Sequence, residues 1–93
     1  MATNITIKAE SESGFIKVYV NDEDDDPKLV LGKPGTTTIP LEDNEVHNLT
    51  YFVQGKPGQK FVIKIVSPPK AAWTERDTVD GDKKVTGQHR IRL

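Results

Sequence analysis

A chain of 93 residues with 34% hydrophobic and 29% charged side chains has the make-up of one small folded domain, not of a disordered segment. Its net charge is −1 and it has no cysteine, which excludes a disulfide framework and a thiolate metal site. No unbroken apolar run exceeds the three residues of Leu29–Leu31, far short of the ~20 residues of a membrane-spanning helix.

Alternation with a period of two dominates the chain, and each alternating stretch predicts a strand with one apolar face. Residues 4–10 set Ile5, Ile7 and Ala9 against Thr6, Lys8 and Glu10. Residues 15–20 set Ile16, Val18 and Val20 against Phe15, Lys17 and Tyr19. Residues 28–31 are short and apolar, and residues 36–41 are rich in β-branched side chains, with Pro40 pointing to an edge. Residues 46–54 align Leu49, Tyr51 and Val53, and residues 59–67 align Phe61, Ile63 and Ile65. Residues 84–93 align Val85, His89, Ile91 and Leu93 opposite Arg90 and Arg92. The intervening stretch, SPPKAAWTERDTVDGD, is too long for a hairpin turn. It reads either as a short helix capped by Ser67, with AAWTER as its body, or as an irregular crossover.

Seven short strands at this spacing predict an all-β fold. The expected architecture is an antiparallel β-sandwich occupying residues 1–93 as a single domain. Its core is expected from Ile5, Ile7, Ile16, Val18, Val20, Ile39, Leu49, Tyr51, Val53, Phe61, Ile63, Ile65 and Ile91. The stretch LTYFVQGKPG, residues 49–58, resembles the late strand of fibronectin-type and immunoglobulin-like sandwiches, where a tyrosine and a valine alternate before a turn. That resemblance implies an immunoglobulin-like sandwich and carries no activity with it. The cysteine pair and the strand-C tryptophan of antibody domains are missing. GKPG occurs at residues 32–35 and again at 55–58; in both, proline then glycine predicts a type II turn with positive φ at Gly35 and Gly58.

Charge is uneven. Residues 1–45 carry ten acids and four bases, and residues 46–93 carry four acids and nine bases. Strand pairing between the halves is expected to bring these charges together. The acidic run ending in Asp22, Glu23, Asp24, Asp25 and Asp26 is the most conspicuous polar feature. Asp22, Asp24, Asp25 and Asp26 are candidate oxygen ligands for a weak Ca²⁺ site, although the EF-hand spacing fails at Pro27 and Lys33. The other reading is a solvated, self-repelling loop.

Catalysis finds little support. His47 and His89 lack HxH or HExxH spacing, and Ser11, Ser13 and Ser67 lack a GxSxG elbow. A basic stripe from His89, Arg90 and Arg92 on the last strand, with Lys60, Lys64, Lys83 and Lys84 near it, has the composition of a nucleic-acid surface. The negative net charge and the acidic run argue against that partner. Phe15, Tyr19 and Phe52 fall out of phase with the core, and exposed aromatics in a cluster read as a contact surface; Trp73, in the long crossover, is a candidate anchor beside them. The expectation is therefore a non-enzymatic binding or structural module without a cofactor, acting through protein association or self-association at strand edges or at this aromatic face. The alternative is a Ca²⁺- or carbohydrate-binding sandwich using residues 21–27 or the exposed aromatics. The first residues, MATNITIKAE, show no basic-then-apolar signal, so a cytoplasmic location is expected.

Overall fold

The computed structural model describes residues 2–22 and 26–93, with Asp22 described in its backbone only. Eight strands follow in chain order: β1 (Ala2–Ser11), β2 (Ile16–Asp22), β3 (Lys28–Leu31), β4 (Gly35–Glu42), β5 (Val46–Gln54), β6 (Lys60–Ser67), β7 (Trp73–Thr78) and β8 (Lys84–Arg92). They form two antiparallel four-stranded sheets, ordered β4-β1-β6-β7 and β3-β2-β5-β8. The expected all-β sandwich is the observed fold. Among the described residues no helix is long and apolar enough to cross a membrane.

The core follows from the alternation. On β1, Ile5, Ile7 and Ala9 are fully buried, and on the facing sheet Ile16, Val18, Leu49 and Val53 are too. Phe61, Ile63 and Ile65 complete the layer from β6, and the Tyr51 and Phe61 rings meet across the two sheets at 6.0 Å. Each such side chain contributes roughly 1.5–3 kcal/mol on burial, which is the main stabilising term against chain entropy. Ile39 is only partly buried, because β4 is an edge strand. Ala9, Leu41, His47 and Val79 are buried in addition to the expected set.

Residues 67–82 depart from both expectations. A single 3₁₀ turn spans Pro69–Ala71, and of AAWTER only Ala71 belongs to it: Trp73–Thr78 is a strand, pairing with β6 from Ile65↔Trp73 to Lys60↔Thr78. The prolines stand at the start of the turn, where a helix tolerates them; the turn ends at Ala72, whose ψ of 131° is extended, and β6 offers the following residues a free edge. The strand escapes a periodicity reading because both of its faces are mostly polar: Glu75 and Asp77 follow Trp73 on one side, and Thr74, Arg76 and Thr78 form the other.

The two GKPG copies differ. At the second, Gly58 has φ +91° and the Gln59 N–H donates to the Lys56 carbonyl at 3.1 Å, as a type II turn requires. At the first, Gly35 has φ +154° and already opens β4, paired with Ala9, so the type II expectation fails there.

The charge expectation also needs correction. Both sheets set their two N-terminal-half strands side by side and their two C-terminal-half strands side by side, meeting only at β1–β6 and β2–β5. The base-rich half therefore occupies one flank of the sandwich, the side of β7 and β8, and is not interleaved with the acid-rich half.

Candidate binding surfaces

The register of β2, β5 and β8 defines the outer face of their sheet. Lys17, Phe52 and Thr86 form one row, Tyr19, Thr50 and Gln88 the next, and Asn21, Asn48 and Arg90 a third. Leu29, opposite Tyr19 on β3, is 54% exposed and extends the second row. Phe15 joins just ahead of β2. Its ring meets Phe52 edge-on at 6.0 Å and 77°, and the Lys17 Nζ lies 5.4 Å from its centroid. Edge-to-face and cation–π contacts of this kind contribute about 0.5–1.5 and about 0.5–1 kcal/mol. They hold the three side chains in one arrangement at the surface. Phe15, Tyr19 and Phe52 are thus brought onto one face, all partly exposed.

Trp73 is not with them. It lies on β7 in the other sheet and stacks on His89 of β8, centroids 4.1 Å apart and planes within 6°. The 67–82 segment follows the edge of that other sheet and does not coat the aromatic face. Lys60 and Lys64 are also on the other sheet, so they do not extend the β8 basic stripe.

Between the sheets on the β7–β8 flank is a second group that the alternation does not reveal. Glu75 and Asp77 share the β7 face of Trp73, the face that pairs in register with the buried Ile63 and Phe61. Tyr51 lies over Gly87, where an added Cβ would come within 2.2 Å of the hydroxyl. Burial raises the Tyr51 pKa above its ordinary 10.0, and the Glu75 and Asp77 carboxylates add to that, so the phenol stays protonated. Burial lowers His89 below its ordinary 6.5. On the opposite flank, His47 is 1% exposed and its Nε2 meets the Glu42 carbonyl at 2.9 Å.

Asp24 and Asp25 lie outside the described residues, as does the Asp22 side chain, while Asp26 is exposed. Among the described residues no three His, Asp or Glu side chains gather as a metal site. The hydroxyls of Ser11 and Ser13 hydrogen-bond each other at 2.7 Å in the β1–β2 turn. A groove of about 590 Å³ at the end of β1, β6 and β7 is lined by Glu10, Glu12 and Asp77 together with Lys60 and Arg76, so its charges are mixed. A smaller groove of about 220 Å³ separates the 3₁₀ turn from β8 and is lined by Lys70, Ala71, Ala72 and His89–Arg92. Compared with protein-family models, curated proteins and solved structures, the chain finds no match in any of the three.

Proposed function

We propose that this chain is a non-enzymatic binding module, an immunoglobulin-like sandwich that associates with a protein through the outer face of the β3-β2-β5-β8 sheet. The observation that carries the reading is the ordered Phe15–Phe52 pair with Tyr19 and Leu29 on a face that the 67–82 segment leaves open. Aromatics held in fixed geometry lose little conformational freedom on docking and so contribute strongly to interfaces. Lys17, stacked against Phe15, gives the patch a polar rim.

A displayed library of random peptides, selected on the wild-type protein, tests this whatever the natural partner is. Enriched peptides are expected to bind Phe52→Ala at least roughly tenfold more weakly, as for loss of an interface anchor. They should also shift backbone amides of Lys17, Tyr19 and Thr50. Peptides that keep full affinity for Phe52→Ala would remove the aromatic face from the proposal.

A further inference from the structure

The four edges of the sandwich are protected unequally. β3 has four residues and a register shift against β2 between Val18 and Tyr19. β4 contains Pro40, which cannot donate to an added strand. β7 has six residues and carries Glu75 and Asp77 on its inward side, charges that oppose burial under a further strand. β8 is different. It runs nine residues without proline, pairs with β5 along its whole length, and has no second partner among the described residues. Its outer face carries Lys84, Arg90 and Arg92, and Lys70 stands across the groove beside it; no acid lines that groove among the described residues.

We infer that the free edge of β8 takes an acidic, extended protein segment as a fifth strand of its sheet. This rests on the reading of the chain as a protein-binding module but uses a different surface of it. The backbone groups on the open side of β8 would pair with the segment, and alternate carboxylates would lie beside Lys84, Arg90 and Arg92. The intervening side chains would face Val85, His89 and Ile91. A second copy of this chain fits poorly. Antiparallel self-pairing of β8 about Gln88 sets Lys84 opposite Arg92, like charge against like, whereas an acidic strand replaces both repulsions with attraction.

The probe is an acetylated, amidated peptide of alternating glutamate and valine, as long as β8, titrated into the isotopically labelled protein. Expected are amide shifts concentrated in Val85–Arg92, with cross-strand nuclear Overhauser contacts from β8 to the peptide. Arg90→Glu combined with Arg92→Glu, both exposed and on the outer face, should weaken binding roughly tenfold or more. N-methylation of every second peptide residue should abolish it, since edge pairing needs those N–H groups. Phe52→Ala should leave the β8 shifts intact, so failure of the aromatic-face reading and failure of strand addition are scored separately. Equal binding of a lysine–valine peptide would overturn the inference. So would stronger binding of a single-stranded oligothymidylate, or β8 amides that shift with protein concentration alone.

Discussion

Gly87 shows how one missing side chain shapes the β7–β8 flank. An alanine there would put its Cβ 2.2 Å from the Tyr51 hydroxyl and 2.3 Å from Cζ, so the ring must leave its place over β8. Gly87→Ala is expected to destabilise the fold by about 1–3 kcal/mol, the usual range for overpacking. Urea unfolding reads this directly, and the cost of Gly87→Ala should largely vanish when it is measured against Tyr51→Val, where the ring is absent. A loss unaltered by Tyr51→Val would show that the clash is not its cause. His89, two residues on, makes stability depend on pH. Its folded pKa lies below 6.5, so the unfolded chain takes up a proton more readily as pH falls. The contribution is fully present above 6.5 and is lost progressively below it. His89→Phe keeps a ring against Trp73 without the proton, so its melting temperature should fall less than that of wild type between about pH 7.5 and about pH 5. Equal slopes would place the pH dependence elsewhere. Neither is legible in the sequence: the role of Gly87 depends on the β5–β8 register that sets it beside Tyr51, and the stack depends on β7 lying beside β6 and across from β8.

At the scale of elements, most of the architecture is legible where one face is apolar and the other polar. β3 and β5 have the bounds that the alternation predicts, and the other five predicted strands shift by a residue or two at their ends. β7 is not legible, since an edge strand with Glu75 and Asp77 on its inward side has no apolar stripe to read. Without that strand, nothing in the sequence separates Trp73 from the aromatics of the other sheet. The GKPG turns differ by their surroundings. Gly55 N–H donates to Lys83 O, and Gly58 N–H donates to Val79 O, so the second copy is tied to the approach to β8. With Gly58 at φ +91°, Gly58→Ala is expected to cost about 1–2 kcal/mol, the penalty of a left-handed conformation for an L-residue. Chemical denaturation checks the value. A cost within error of zero would mean that the turn relaxes to another type.

For the whole molecule, the strand order divides the sandwich between the two halves of the chain. Residues 1–45 supply the β4–β1 and β3–β2 ribbons, and residues 46–93 supply the β6–β7 and β5–β8 ribbons. Each sheet is joined across the divide by one central seam, Ile7↔Ile65 and its neighbours in one and Ile16↔Val53 through Asp22↔His47 in the other. A two-stranded ribbon is marginally stable at best in water, and each half holds two such ribbons and only part of the core. The link cut between Glu45 and Val46 is a short turn, anchored by Asn44 N–H donating to the Leu93 carbonyl at 2.9 Å. Two synthetic fragments, 1–45 and 46–93, are therefore expected to be disordered alone and to recover β-sheet circular dichroism and a cooperative melt when mixed. Their charges, ten acids with four bases against four acids with nine, should speed association at low ionic strength and slow it as salt rises. A cooperative melt from either fragment alone would contradict this account, because it would mean that the ribbons of one half fold without the seams to the other.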